Sequence, residues 1–277
     1  MKKIAYVGNK TNFEIYQIIH NRIKEVKNLN SEIYHVENII QKYQEYIDEF
    51  DAVFFEDNLN PNSKYDFFYK NDEILVKESL KKIAFTELLK YSNFKVDKSN
   101  VLILETNEYF KTIYEVLKEN NAERIHIASI KQNNNIKLDK GDYFKNFLDI
   151  ERLSNLDLII NLTDVGSIYC IEESPLKKDT SITAKYALDL VKIPFESTFL
   201  KQFKFKNSNL IMAIDLCIIE MLQLLLILFG RKDIYYIEII KQLHVFVDRK
   251  INPRIKTDVE EINTSKEFLK LLKGNMK

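Results

Sequence analysis

Glycine is scarce: Gly8, Gly141, Gly166, Gly230 and Gly274 are the only five in 277 residues. A loop that holds phosphate with bare main chain needs several glycines close together, so this scarcity excludes a Gly-rich phosphate loop. Cysteine is nearly as rare, and Cys170 and Cys217 offer neither metal-ligand spacing nor a disulfide framework. A reduced, cytoplasmic setting is expected. The four histidines are scattered, which argues against a metal. There is no excess of either charge: Lys+Arg and Asp+Glu are 41 each, so no overall field favours nucleic acid or an acidic membrane. The apolar run after Met1-Lys2-Lys3 stops at Gly8-Asn9-Lys10, too early for a signal peptide. Leu210 to Phe229 is the longest apolar stretch, but it contains Asp215, Glu220 and Gln223. Two mid-span acids cost about 2.5–3.5 kcal/mol each in lipid, so a buried helix with one polar edge is expected, and no membrane partner.

What the chain does have is alternation. Strand-like runs at Lys3–Val7, Glu32–Val36 and Asp51–Phe55 enclose helical patterns at Glu14–Val26 and Val36–Ile47. This predicts an α/β domain with a mainly parallel sheet. Residues 57–71 read as a loop and 72–92 as a long helix. A second alternation follows: a strand at 101–104, a helix at 109–120, a strand at 124–128, a helix near 143–152, and strands at 158–161 and 187–191. The final part reads as helical over 210–229, 234–247 and 264–273.

Asn100 to Ser129 carries the most information. Strand, turn, helix and strand follow one another as in units that hold a dinucleotide pyrophosphate at a helix N-terminus. The turn, Glu105-Thr106-Asn107-Glu108, has no glycine and two carboxylates that repel phosphate.

Several segments together resemble the shikimate dehydrogenase family. Gly8-Asn9-Lys10-Thr11-Asn12-Phe13-Glu14-Ile15-Tyr16-Gln17-Ile18-Ile19-His20-Asn21 is similar to G-N-P-x-x-H-S-x-S-P-x-x-H-N. Asp157-Leu158-Ile159-Ile160-Asn161-Leu162-Thr163-Asp164-Val165-Gly166 resembles D-L-I-I-N-A-T-P-x-G, and Ser174-Pro175-Leu176 the S-P-L turn. Asp189-Leu190-Val191-Lys192-Ile193-Pro194 resembles D-x-V-Y-N-P, and Ile214 to Gly230 the M-L-x-x-Q helix with its W-x-G end. The pieces keep family order over nearly the whole chain. The resemblance implies two α/β domains with a cleft between them: a substrate-type domain from residues 1–81 plus 212–277, and a Rossmann-like NADP domain from 82–211.

Carried over position by position, the family's chemistry is largely replaced. Its two substrate-holding serines fall at Glu14 and Tyr16, and its late-helix Gln at Glu220. Asn60 stands at or near its catalytic Lys and Lys81 at the partner Asp, with Lys64, Lys70 and Lys77 as alternatives for the lysine. That pair delivers a proton to the alkoxide formed by hydride transfer. Glu14, Tyr16, Glu56, Asp57, Lys64 and Glu220 are the implied cleft residues. The implied cofactor positions are Glu105, Thr106, Asn107, Glu108, Ser129, Lys131 and Thr163, Lys131 replacing the Arg that meets the 2′-phosphate. Bland readings stand beside these: His20 as a packed histidine, Asp164 as a turn cap, and the many Tyr and Phe as core.

Two functions remain open at this point. The first is a shikimate dehydrogenase-like protein without hydride transfer, binding a small-molecule ligand or a protein partner in the inherited cleft; a homodimer is a further expectation. The acidic cleft would suit a cationic ligand or simply stay wet. The second is a working NADP-dependent shikimate or quinate dehydrogenase, reducing 3-dehydroshikimate for aromatic amino acid synthesis with relocated catalytic residues.

Overall fold

The computed structural model describes residues 1–36, 43–56, 65–72, 74–129, 137–147, 149–153, 155–235 and 238–251. It is a two-domain α/β fold, and the chain divides into two compact units. The first comprises Met1–Ser99, Asn107–Glu123 and Ile214–His244; the second comprises Asn100–Thr106, Arg124–Ala213 and the residues from Val245.

The first unit is built on a five-stranded sheet of order β2-β1-β3-β4-β5, with β1 Lys2–Val7, β2 Ser31–Val36, β3 Ala52–Phe55, β4 Phe67–Asn71 and β5 Ile74–Glu78. The pairings β1–β2 and β1–β3 are parallel, whereas β3–β4 and β4–β5 are antiparallel. Helix α1, Lys10–Lys27, makes the first crossover. The Asn9 side chain caps it by accepting from Thr11 N at 2.7 Å, and Asn28 ends it in the left-handed region at φ 50°. Its buried face carries Ile15, Tyr16, Ile19, His20 and Ile23. Helix α2, Tyr43–Glu49, makes the second crossover. Tyr46 and Ile47 pack with Ala5, Val7, Val53, Phe55 and Phe68.

The segment 57–92 corrects the sequence reading. Residues 67–71, expected in a loop, are strand, and the expected helix over 72–92 is a strand followed by α3, Leu80–Tyr91. Asp72, at φ 54°, sits in the turn between β4 and β5, and pairing of β4 with β3 extends the sheet. The apolar spacing of Ile74 and Leu75 fits either period, and partner strands decide between them. The carboxylate of Asp66 then starts α3, accepting from Leu80 N at 2.6 Å and Lys81 N at 3.3 Å. Residues 57–64 lie outside the described residues.

The second unit has a six-stranded, all-parallel sheet of order β11-β10-β9-β6-β7-β8. Its strands are β6 Asn100–Leu104, β7 Arg124–Ala128, β8 Tyr143–Lys145, β9 Leu156–Asn161, β10 Ala184–Asp189 and β11 Asn209–Met212. The expected helix near 143–152 is instead β8 and a short 3-10 turn at Ile150–Arg152, because 143–145 pair with β7. The strand expected at 187–191 is β10, which ends at Asp189. Helix α4, Phe110–Glu119, follows β6 and belongs to the first unit. Helix α5, Thr198–Phe205, starts at Ser197, whose hydroxyl accepts from Leu200 N at 3.2 Å. Phe199, Leu200 and Phe203 join Leu102, Leu104, Ile159 and Ala187 in the core of this unit.

Residues 209–212 are strand, so the long helix α6 runs from Ala213 to Phe229. It is buried on nearly every side. Among the described residues no helix is long and apolar enough to cross a membrane. The expected helix 234–247 becomes a 3-10 turn at Lys232–Ile234 and a helix over 238–251. The expectations at 37–42 and 264–273 fall outside the described residues.

His20 is fully buried, with Nε2 at 2.9 Å from Ser31 Oγ and Nδ1 at 3.3 Å from Asn21 Oδ1. Burial lowers its pKa from 6.5 to about 4, a hydrogen bond to Asn21 opposing the shift and the charge of Lys24 adding to it. The folded state therefore refuses a proton that the unfolded chain accepts. Its contribution is full above about pH 6.5 and is lost as pH falls toward 4, a change on the order of 3 kcal/mol. Asp66 and Asp189, both raised to about 6 by burial, act in the opposite sense between about pH 4 and 6. Replacing His20 by Gln isolates its share. The stability gap between wild type and variant should shrink as urea unfolding is repeated from pH 7 down to pH 4.

Candidate functional site

In an open α/β sheet, ligands bind beyond the carboxyl ends of the strands, where the strand order reverses direction. In the first unit that point lies between β1 and β3. Glu56, which follows β3, is 2% exposed, and its carboxylate gathers the donors there. Oε2 accepts from the Tyr6 hydroxyl and from Asn9 N at 3.0 Å; Oε1 accepts from Asn12 Nδ2 at 2.5 Å. Gly8 permits this approach, because a Cβ there would lie 2.6 Å from both Glu56 Cβ and Oε2. Tyr16, from α1, donates its hydroxyl to Glu220 Oε2 on α6. Tyr6, Tyr16 and Phe54 form an aromatic group, with Tyr6 and Tyr16 centroids 5.1 Å apart.

Lys81 is 2% exposed. Its Nζ donates to the main-chain oxygen of Glu56 and lies 4.8 Å from the centre of the Tyr109 ring. Asp66 senses the lysine: burial raises its pKa to about 6, and the Lys81 charge is the largest influence holding it down. The hydroxyls of Tyr6, Tyr16 and Tyr109 are all pushed upward. Burial is the main cause, with the charge of Glu56 next for Tyr6, Cys217 for Tyr16 and Glu220 for Tyr109. They are therefore donors, not bases, near neutral pH.

Of the expected cleft residues, Tyr16, Glu56 and Glu220 come together in this buried cluster, as does Lys81. Glu14 is exposed on α1. Asp57, Asn60, Lys64 and Lys131 lie outside the described residues. Tyr6, Asn9, Asn12 and Asp66 were not singled out from the sequence. A usable signal existed for Asn9, a short polar residue just before a helix start; Asp66 meets the start of α3 only through space, 14 residues away in sequence.

At the carboxyl end of β6, Glu105 adopts φ 74°, in the region that favours glycine. Its own N–H reaches Ala128 O at 2.6 Å. Its Oε1 accepts from Thr106 N at 3.0 Å and from the Ser129 hydroxyl. Downstream, Asn107 Oδ1 accepts from Tyr109 N at 2.9 Å and Asn107 O from Phe110 N at 3.1 Å. Glu108 is exposed. At the ends of β9 and β10, Asp189 is fully buried and accepts from Asn161 Nδ2 and Val191 N, each at 3.0 Å, and from the Ser197 hydroxyl. Asn161 Oδ1 in turn accepts from Thr163 N and Oγ1 at 3.0 and 2.7 Å. This lattice fixes the loops after both strands.

No family model matches the sequence. The chain is 31% identical over 130 residues to the NADP(+) shikimate dehydrogenase of Clostridium botulinum strain Hall, covering 47% of this chain and 50% of the relative. It is 27% identical over 154 residues to the corresponding protein of Nitrosopumilus maritimus, covering 53% and 56%. The chain thus spans about half the length of the curated relatives it matches. Among solved structures, a chorismate mutase/shikimate 5-dehydrogenase fusion from Clostridium acetobutylicum superposes with TM-score 0.76 at 17% identity, over 92% of this chain and 99% of that one. Shikimate 5-dehydrogenase from Thermus thermophilus, solved with NADP(H) and shikimate, gives TM-score 0.74 at 15% identity, over 89% and 100%. Quinate dehydrogenase from Corynebacterium glutamicum, solved with NAD, gives 0.73 at 9% identity, over 88% and 98%. These structures share the fold. Over about half of its length the chain is similar in sequence to shikimate dehydrogenases, and over nearly all of it the fold is the one those solved structures have.

Proposed function

We propose that this chain is a shikimate dehydrogenase-like protein that has given up hydride transfer and binds a ligand or partner instead, in the cytoplasm. One observation carries the reading: Glu105 keeps the left-handed backbone of a glycine turn while its own carboxylate sits on Thr106 N and Ser129 Oγ. Those groups would otherwise face an incoming phosphate, and a fixed carboxylate repels it. Such a turn does not fit the diphosphate of NADP. The first unit supports the same reading. Tyr16 and Glu220, at positions the family uses for substrate, bind each other, and Lys81 is engaged with main chain.

The test is titration of NADPH and NADH into the purified chain, followed by nucleotide fluorescence and heat, with shikimate-dependent reduction of NADP measured alongside. The expected result is no binding below millimolar concentration and no turnover. Micromolar binding of either nucleotide overturns the reading. A second reading, an active shikimate or quinate dehydrogenase with relocated residues, draws on one observation: the buried Lys81 with Asp66 beside it at the start of α3. Shikimate-dependent turnover abolished by Lys81→Met would establish it.

A further inference from the structure

The groups around Glu56 and Lys81 are not those of an ordinary core. Elsewhere the first sheet is packed by apolar side chains such as Val7, Ile47, Val53 and Phe68. At the carboxyl ends of β1 and β3 the buried side chains are instead Glu56, Glu220 and Lys81, with the Tyr6 and Tyr16 hydroxyls on the two carboxylates. Buried charges of both signs converging at this end of a sheet mark a ligand site rather than a packing layer. A side chain from another element enters it. Tyr109 stands at the N-cap of α4 and is buried. Lys81 Nζ lies 4.8 Å from the centre of its ring. Its hydroxyl is held protonated by burial first, then by the charges of Glu220 and Glu56, so both carboxylates act on it. The main chain of Tyr109 is fixed separately: its N–H donates to Asn107 Oδ1 at 2.9 Å, and its carbonyl accepts from Ile113 N at 3.0 Å. The turn before it, residues 105–108, is half-buried or exposed. The side chain can therefore turn about its Cα–Cβ bond without dismantling the start of α4.

We propose that this cluster is a phenol-binding site and that Tyr109 is its tethered occupant, closing it to other ligands until the side chain swings out. The inference rests on the ligand-binding reading above and names the ligand class, a neutral aromatic ring bearing a hydroxyl. The ring face suits the Lys81 ammonium, which the negative face of an aromatic ring attracts and an aliphatic group does not. The hydroxyl suits Glu56 and Glu220, because a phenol is a donor that carries no charge below about pH 10. A ligand carboxylate would meet the two glutamates, and a ligand ammonium would meet Lys81. The tether gives Tyr109 a high effective concentration, so a free phenol competes poorly in the wild type. Its apparent dissociation constant is the intrinsic one divided by the fraction of molecules in which the site stands open.

Tyr109→Ala in the full chain tests this with 4-methylphenol, the tyrosine side chain freed from its backbone. Melting followed by circular dichroism and calorimetric titration supply the readouts. The variant should melt below wild type and regain stability in millimolar 4-methylphenol. It should bind the phenol about tenfold more tightly than wild type does, or better. Toluene, the same ring without the hydroxyl, should bind the variant more weakly. Adding Lys81→Met to Tyr109→Ala should weaken 4-methylphenol about fivefold, the effect of losing a cation–π contact. If Tyr109→Ala does not fold alone, refolding it in 4-methylphenol replaces the melt, and recovery of the wild-type spectrum supports the proposal. A folded variant that binds 4-methylphenol no better than wild type overturns it. So does binding of toluene equal to that of 4-methylphenol, binding that Lys81→Met leaves intact, or an unfolded variant that the phenol does not recover. No arm contains a nicotinamide nucleotide, so the outcome is separate from that of the NADPH titration.

Discussion

Glu56→Ala is expected to lower the unfolding free energy by about 3–5 kcal/mol. The magnitude follows from what the carboxylate holds. Tyr6 OH, Asn9 N and Asn12 Nδ2 all donate to it from within a nearly dry site. Truncation leaves three donors without their acceptor and opens a void beside Gly8, whose missing Cβ has no means of filling it. Burial has driven the Tyr6 hydroxyl strongly toward its protonated form, so it has no route to relief by ionising. Urea unfolding followed by circular dichroism reads the loss directly. A cost under about 1 kcal/mol would mean that solvent reaches the cluster and that its hydrogen bonds exchange freely with water.

The second large effect is a gain. Glu105→Gly should let the purified chain bind NADPH or free ADP-ribose at least tenfold more tightly than wild type, which is about 1.4 kcal/mol. The backbone already holds φ 74°, so glycine takes the position with less strain than glutamate does. Removing the carboxylate also releases Thr106 N and the Ser129 hydroxyl. The repulsion lifted is substantial: two unit charges about 4 Å apart near a protein surface interact by about 4 kcal/mol. Calorimetric titration of both proteins at the same ionic strength measures the difference. Equal, weak binding by both would show that the rest of the site is also unsuited to the nucleotide, while leaving the wild-type reading in place. Tight binding by the wild type alone would remove that reading.

Much of the fold was legible because both sheets are centred on parallel strands buried on two faces, and these read as short unbroken apolar runs. Ile4 to Val7 and Val101 to Leu104 are fully buried and stand out in the sequence. The hairpin Phe67–Glu78 was not legible: residues 67–71 follow a polar, broken stretch and read with it as loop, the apolar residues of 74–78 suit a helix as well as a strand, and the choice was made by β3, a dozen or more residues away. β8 was missed for the same reason: three residues flanked by polar ones become strand only through β7. At the candidate site, position-by-position likeness named Tyr16, Glu56, Glu220, Lys81 and Glu105. It did not show that these replacements satisfy one another. The Tyr16 hydroxyl donates to the Glu220 carboxylate, a complementarity visible only once residues 204 apart meet.

That long separation has a consequence for the birth of the protein on the ribosome. Helix α6 closes the first unit: Tyr16 waits for Glu220, and Lys27 for the main chain of Asp233, 206 residues on. Until α6 and the residues just after it have emerged, the apolar face of α1 and the strands beneath it lack their cover. Throughout most of synthesis the nascent chain therefore carries an unfinished core, a natural client for chaperones that shield exposed aliphatic surface.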